Sequence, residues 1–216
     1  MKTDLLQPFE RIPYFTIEGF KQSAEISKAE QARLLLHRWV KAGRIIPLKK
    51  GVYMAGRFYE QRRGDASFSA AVSAILLPQS YLSLEYILQK NNLLTEVTYP
   101  ITAVTTKNTR HVDNPLGTFW YRNLRADLYH GFTISEYYGV RFAEATLAKA
   151  LFDYLYLRPL SGALRIADFN LAEELRLNLD EIPEKARAEF GDYVVKSGSR
   201  KMDMVYDNLM RNKWRP

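Results

Sequence analysis

The sequence predicts an α+β protein in which two short helices and a basic hairpin come first, a mixed α/β body follows, and helices close the chain. Three observations lead to this fold class. An apolar stripe at helical spacing runs through residues 28–41, and a glycine turn between two short apolar runs follows at 44–54. Strand-like runs and apolar helical runs then alternate to about residue 156.

Positive charge is concentrated near the N-terminus. The net charge is +7, and residues 1–64 hold 13 Lys or Arg against 6 Asp or Glu, so this segment accounts for the whole surplus. A basic face of this kind releases counterions when it binds phosphates, which predicts a nucleic-acid partner. The alternative is a basic surface kept for solubility, and charge alone does not decide between the two.

Composition argues against several kinds of site. Cysteine is absent, which excludes disulfides and thiolate metal sites and fits a cytoplasmic protein. The three histidines, His37, His111 and His130, do not stand at zinc-ligand spacing. Residues 1–10 lack the apolar stretch of a signal peptide, and no apolar run reaches 18 residues. We therefore expect no metal, no cofactor and no membrane partner.

Two helices are predicted in the first third of the chain. Thr16 is a cap for the first helix, and Ser27 with Glu30 forms a capping-box pattern before the second. Gly43 marks the end of the second helix. The apolar face of that helix carries Ala29, Ala32, Leu35, Leu36, Trp39 and Val40.

A hairpin is predicted directly after the second helix. Arg44–Leu48 and Val52–Met54 have the pattern of strands, and Lys49-Lys50-Gly51 that of the turn between them. Two helices followed by a basic hairpin are typical of a winged helix-turn-helix, in which the hairpin is the wing. We therefore predict a double-stranded-DNA-binding domain over residues 1–60. Some winged helices bind RNA or protein, so a docking module for a partner enzyme is the alternative.

The predicted DNA contacts lie on the second helix and on the hairpin. Lys28 and Gln31 are expected to read base edges, and Arg33 and Arg38 to contact phosphates. The hairpin lysines are expected to reach flanking phosphates or the minor groove. The full set of predicted contacts is Ser27, Lys28, Gln31, Arg33, Arg38, Arg44, Lys49 and Lys50.

Residues 65–216 are predicted to form the mixed α/β body with a helical C-terminal region. A hinge is expected over Gly56–Gly64, where three arginines would lie beside DNA, and Asp65 is expected to cap the next helix. Further helices are expected over 66–77, 82–90 and 142–156, strands over 101–106, 118–122 and 131–138, a turn over 113–117, and C-terminal helices over 163–171, 172–177, 182–190 and 199–214. We expect the last helix to pack on the body.

The strongest argument for an enzyme is the helix predicted to carry Glu144, Lys149 and Asp153. On one helix the two carboxylates would lie more than about 10 Å apart, so they could not share a metal ion. A buried Lys149–Asp153 pair that ties the helix to the sheet is the simpler interpretation. Phosphate-binding glycine loops, nucleophile elbows and zinc-protease motifs do not occur in the sequence. Phe119-Trp120-Tyr121 could stack on bases, but strand alternation favours two core rings and one at the surface.

Five segments share a pattern with one known family: Arg38–Ile45, Lys50–Tyr53, Tyr81–Leu88, Ile101–Thr106 with the basic turn Lys107–Arg110, and Ala143–Asp153. Together they resemble the AbiEi-type antitoxins, the regulators of type IV, abortive-infection toxin–antitoxin systems. The resemblance covers about residues 14–157 and departs at Ala148, where that family often has Glu, so no role of that acid is carried over.

The resemblance implies a repressor that binds repeats upstream of its own promoter and so regulates its own operon. Its implied functional partner is a toxin with a nucleotidyltransferase-like fold, which a type IV antitoxin opposes without necessarily forming a stable complex. The last 50 or so residues lie outside the resemblance.

Overall fold

The computed structural model describes residues 5–94, 100–160, 162, 164, 169–180 and 182–214. The chain is mixed α and β, with helices towards both ends. The helices are α1 (Ile17–Ser23), α2 (Ala29–Lys41), α3 (Gly56–Arg62), α4 (Phe68–Leu76), α5 (Glu85–Lys90), α6 (Leu147–Tyr156), α7 (Leu171–Glu174), α8 (Glu184–Ser197) and α9 (Arg200–Asn212). The strands are β1 (Phe15–Thr16), β2 (Ile45–Lys49), β3 (Val52–Ala55), β4 (Ser80–Leu82), β5 (Ile101–Thr105), β6 (Arg110–Asn114), β7 (Gly117–Asn123), β8 (Phe132–Tyr137) and β9 (Val140–Ala145).

The chain divides into two compact units. The first unit contains the residues up to Pro78 together with segments 112–118 and 135–142, and the second contains the rest. The boundary that the sequence predicted between residues 60 and 65 therefore falls inside the first unit. The expected hinge over Gly56–Gly64 is wrong, because most of this segment is α3, with Phe58 buried.

The two N-terminal helices begin in different ways. The hydroxyl of Thr16 accepts a hydrogen bond from the backbone N–H of Gly19 at 3.1 Å, which confirms the predicted cap of α1. The capping box expected before α2 is wrong, since the capping position is Lys28 and not Ser27. Gly43 follows the end of α2 as predicted and has a φ of +70°.

A three-stranded antiparallel sheet accompanies these helices, in the order β1-β3-β2. Strand β3 is central, because Thr16 of β1 and Lys49 of β2 both pair with Val52. The turn between β2 and β3 is Lys50-Gly51, so the expected three-residue turn is one residue too long. Gly51 has a φ of +74°, which a glycine adopts at little cost.

The core of the first unit is aromatic and apolar. Phe20 of α1 is fully buried and meets Trp39 of α2 edge-to-face, with ring centroids 5.2 Å apart. Helix α4, which is rich in small and apolar residues, is buried on most of its sides. Asp65 does not cap this helix, because Ser67 holds the capping position and the Asp65 carboxylate accepts a hydrogen bond from Tyr137 at 2.7 Å.

The larger sheet is six-stranded and mixed, in the order β6-β7-β5-β4-β9-β8, and its strands β4 and β5 lie wholly within the second unit. Strand β5 runs parallel to β7 and antiparallel to β4, and β4 runs parallel to β9. The helix expected over 82–90 is confirmed only from Glu85, since Ser80–Leu82 pairs with β5. The helix expected over 142–156 is wrong in its first part, which is strand β9; α6 begins after Thr146, whose hydroxyl caps it.

The Phe119-Trp120-Tyr121 triplet shows the predicted alternation. Phe119 and Tyr121 are buried, whereas Trp120 is exposed and stacks on His111 with centroids 4.8 Å apart. His111 belongs to β6, a strand that was not predicted, since a turn was expected over 113–117. Only Pro115-Leu116 forms the turn.

The described C-terminal helices pack on the rest of the second unit. Lys201 of α9 donates hydrogen bonds to the carbonyls of Leu155, Tyr156 and Arg158 at the end of α6. This confirms the predicted packing of the last helix. The helix expected over 163–171 falls mostly outside the described residues. Within the described ranges, no helix combines the length and the apolarity needed to cross a membrane.

Candidate nucleic-acid interface

Helix α2 turns a polar face outward. Its buried side is made by Ala32, Leu36 and Trp39, which pack into the core of the first unit. The eight residues predicted to contact DNA are all exposed: Ser27, Lys28, Gln31, Arg33, Arg38, Arg44, Lys49 and Lys50. The apolar periodicity of the sequence is therefore sufficient to place the outward face.

Three of the predicted DNA contacts, Gln31, Arg33 and Arg38, lie at the rims of this face. At about 100° per residue, Gln31 and Arg33 fall about 160° apart around the helix axis, on opposite sides of the exposed surface. Arg38 lies on the same side as Gln31, so these two residues form one stripe, whereas Lys28 is the capping residue before the first turn. Arg33 belongs to the other rim.

The centre of the exposed face holds residues outside the predicted set of DNA contacts, although the sequence already placed Leu34, His37 and Lys41 on this outward face. Glu30, Leu34, His37 and Lys41 lie opposite the buried side, and Leu34 is 53% exposed. The same helical period locates them, because they lie about 180° around the helix axis from the middle of the apolar stripe. An exposed Leu at this point offers an apolar contact, and Glu30 adds one negative charge to an otherwise basic surface.

Arg44 stands at the base of the hairpin. Its guanidinium lies over the ring of Trp39, 5.2 Å from the centroid, which fixes the side chain beside the end of α2. Its backbone N–H donates to the carbonyl of Trp39, and its carbonyl accepts from the N–H of Gly56. The structure thus links α2, the hairpin and α3 through one residue.

The two hairpin lysines have different surroundings. The Lys49 ammonium donates to the carbonyls of Ile75 and Leu76 at 2.6 and 3.1 Å, at the C-terminal end of α4. A cation is favourable there because the helix dipole places negative charge at that end. Burial lowers the pKa of Lys49. Lys50 occupies the turn and, like Lys49, is exposed.

The hairpin is held to α1 by its backbone. The carbonyl of Gly51 accepts a hydrogen bond from the N–H of Ile17, the first residue of α1. Since Thr16 pairs with Val52 and also caps α1, the tip of the hairpin and the first helix share one set of backbone contacts. The hairpin is therefore positioned by the sheet rather than by its own turn alone.

The arginines of α3 and the residue after it are paired with carboxylates. Arg57 meets Glu10 at 3.1 Å, and Arg63 meets Glu60 at 3.5 Å. Arg62 lies over the ring of Tyr138, 5.2 Å from its centroid, and 4.0 Å from Asp65. These pairs reduce the charge that α3 presents to solvent, in contrast to the exposed basic residues of α2.

The residues considered for catalysis lie on different elements. Glu144 is on β9, where it accepts a hydrogen bond from Lys90 at 2.8 Å, so the expectation that it shares a helix with Asp153 is wrong. Lys149 and Asp153 form the expected buried pair on α6, with both side chains 0% exposed. The Asp153 carboxylate also accepts hydrogen bonds from Tyr81 and Ser83 of the β4 region, each at 2.8 Å.

Neither a search for metal-binding clusters nor a comparison with known proteins points to a further site. Among the residues that the structure describes, no group of three or more His, Asp or Glu side chains could hold a metal ion. Comparison of the chain with protein-family models and with curated protein sequences finds no match.

Proposed function

We propose that the first unit is a winged helix-turn-helix that binds double-stranded DNA, with α2 as the recognition helix and the β2–β3 hairpin as the wing. The observation that carries the proposal is the β1-β3-β2 sheet, whose hairpin directly follows a helix with an exposed polar face. The 13 residues of α2 span about 20 Å, a length that fits along the major groove.

Electrostatics support the same partner. The surplus of seven positive charges lies within residues 1–64, and α2 and the hairpin tip carry exposed basic side chains. Such a surface gains affinity for a duplex from counterion release, whereas specificity must come from side chains that reach base edges. Gln31, in the first turn of α2, and Lys28, the capping residue before it, are the candidates for base reading. Leu34 adds an apolar contact suited to a thymine methyl group.

The resemblance of the sequence to AbiEi-type antitoxins supports a proposal for the biological role. On this proposal the chain represses its own operon and acts as the cytoplasmic antitoxin of a type IV, abortive-infection system, in opposition to a nucleotidyltransferase-like toxin. It is not an enzyme. The competing proposal is a docking module for a protein or RNA partner, which the 53% exposure of Leu34 at the centre of the α2 face favours.

The experiment is a fluorescence-anisotropy titration of the full chain with a duplex of its own upstream region and with a scrambled duplex. Titrations at about 50 and 200 mM salt measure how many phosphates are neutralised. The test variant, Lys28→Ala/Arg38→Ala/Lys50→Ala, removes three positive charges from the proposed interface. The control, Lys185→Ala/Lys196→Ala/Arg211→Ala, removes three exposed positive charges from α8 and α9.

We expect the upstream duplex to be preferred and the test variant to bind it at least about tenfold more weakly, with a salt slope lower by about 2–3. The control should bind like the wild type. Gln31→Ala should lose preference for the upstream duplex more than it loses affinity. Equal, weak binding of both duplexes by the wild type and the test variant would overturn the proposal and favour the docking module.

A further inference from the structure

A cavity of about 320 Å³ lies in the first unit, behind the hairpin. Its volume is at the lower end of the range of small-molecule pockets, about 300–1,000 Å³. Apolar and aromatic side chains make most of its wall, among them Tyr14, Val52, Ile75 and Val140. The cavity therefore has room for a small molecule with an apolar body.

The charged groups of the cavity are of one sign. Lys49 and Arg141 both line it, and the described lining contains no acidic residue. The carbonyls of Ile75 and Leu76 take two of the three N–H donors of Lys49, and the third has no acceptor among the described residues. Arg141 is exposed, and no described residue hydrogen-bonds to its side chain. Two cationic side chains thus lie beside an apolar wall, and no described acidic residue of the lining neutralises them.

The cavity also has neutral groups that donate hydrogen bonds. Tyr14 is 39% exposed, and its hydroxyl can donate to an oxygen anion, as can that of Thr16. A carboxylate accepts several such bonds at once, and a guanidinium binds it in a bidentate manner. The C-terminal end of α4 repels anions, but one unit charge on Lys49 exceeds the roughly half charge of a helix end. The site therefore favours a monoanion.

We propose that this cavity binds a small organic monocarboxylate with an aromatic or branched aliphatic body, and that its occupation weakens DNA binding. The second half of the proposal rests on the proposed function, and the first half does not.

The position of the cavity explains the expected coupling. Lys49 ends β2, next to Lys50 at the hairpin tip, and Val52 begins β3. An anion held by Lys49 lies well within a Debye length, about 8–10 Å, of the tip, where it opposes the attraction of Lys50 to phosphates. Thr16 caps α1 and pairs with Val52, so the ligand also touches the contacts that position the hairpin.

The test uses the full chain with phenylacetate and isovalerate as probes, and phenylacetamide as the neutral counterpart of the first. Isothermal titration and saturation-transfer NMR measure binding directly, without DNA. Arg141→Gln removes one cation from the cavity, and Arg211→Gln, at an exposed position on α9, is the matched control. Ala74→Phe fills the cavity from α4, and a thermal melt checks that each variant is folded.

We expect a carboxylate probe to bind saturably and the amide to bind at least tenfold more weakly. Arg141→Gln should weaken carboxylate binding about tenfold, Ala74→Phe should abolish it, and Arg211→Gln should not change it. The bound carboxylate should raise the dissociation constant of the upstream duplex at least threefold in the wild type, and should not do so in Ala74→Phe.

Three results would overturn all or part of the inference. Absence of saturable binding of both carboxylates, or equal affinity for acid and amide that survives Arg141→Gln, would remove the anion site. Saturable carboxylate binding with unchanged DNA affinity would remove the regulatory half. A protein that binds the carboxylates but no duplex would overturn the proposed function and leave the anion site supported.

Discussion

The buried ion pair of α6 offers a quantitative test of how the second unit is held together. Lys149 and Asp153 are both 0% exposed, and Asp153 also accepts hydrogen bonds from Tyr81 and Ser83 at 2.8 Å. Since α6 carries the pair while Tyr81 and Ser83 belong to β4 and the residue after it, the cluster ties the helix to the sheet. The rings of Tyr81, Phe152 and Tyr193 lie 5.0–5.6 Å from the Lys149 ammonium.

Removal of Lys149 and removal of Asp153 should lower the free energy of unfolding by different amounts. Loss of one partner from a buried pair lowers the free energy of unfolding by about 3–5 kcal/mol. Lys149→Met leaves the carboxylate with two hydroxyl donors, so we expect about 3 kcal/mol. Asp153→Leu deprives the ammonium and both hydroxyls of their acceptor, which places it near 5 kcal/mol or above. The double variant Lys149→Met/Asp153→Leu has no unpaired charge and should be more stable than Asp153→Leu alone.

The loss in Lys149→Met should depend on pH. Burial raises the pKa of Asp153, and Lys149 together with the hydrogen bonds from Ser83 and Tyr81 opposes the rise. Without Lys149 the pKa of the folded state rises further above that of the unfolded chain. The folded protein then binds a proton that the unfolded chain has released, so stability falls as pH increases between the two values. Lys149→Met should therefore be closer to wild type at about pH 5 than at about pH 8.

Urea denaturation followed by circular dichroism at both pH values measures these differences. Lys185→Met, at an exposed position on α8, is the control for the loss of a lysine and should stay within about 0.5 kcal/mol of wild type. If Lys149→Met lowers the free energy of unfolding by less than about 1 kcal/mol, and by the same amount at both pH values, the reasoning is refuted. A buried carboxylate without its cation should destabilise the fold by more than that.

Two further substitutions have matched controls. Gly131 has a φ of +81°, and a Cβ there would lie 2.2 Å from the Tyr193 hydroxyl oxygen. Gly131→Ala should therefore lower the free energy of unfolding by about 2–4 kcal/mol. Its control is Gly139→Ala, at φ +80° in open space, which should lower it by only about 1 kcal/mol. Lys49→Met should lower the free energy of unfolding by about 1–2 kcal/mol through loss of its hydrogen bonds to α4, while Lys50→Met should leave it unchanged. Urea denaturation measures the free energy of unfolding of all four variants. Equal decreases for a test variant and its control would contradict the packing described.

Local signals in the sequence located the N-terminal elements well. The period of Ala32, Leu36 and Trp39 predicts α2 and its exposed face, and Gly51 predicts the hairpin, because each signal depends on residues close together in the chain. The prediction did not find that Lys49 bonds to α4, since that contact joins residues 26 and 27 positions apart. A lysine at a turn has the same pattern whether it faces a helix end or solvent.

The body was predicted less completely, for a physical reason. Residues 80–82 and 140–145 carry apolar side chains that suit a helix or a buried strand, and only pairing across the sheet makes them strands. Strand β6 is mostly polar because it lies at the edge of the sheet, so its sequence resembles a turn. The buried Lys149–Asp153 pair was predictable because both residues belong to one helix.

The first unit is assembled from three separate stretches of the chain, which passes between the two units five times. Asn114 and Tyr137, in the later stretches, donate hydrogen bonds to the Leu48 carbonyl and to the Asp65 carboxylate. A gene fragment cut at a single junction near residue 60 or 78 would omit both donors. The unit is thus not contiguous in the chain, and a single crossover at either junction would transfer only part of it. On the proposed function, point substitution on the exposed face of α2 would change operator specificity without exchanging the unit.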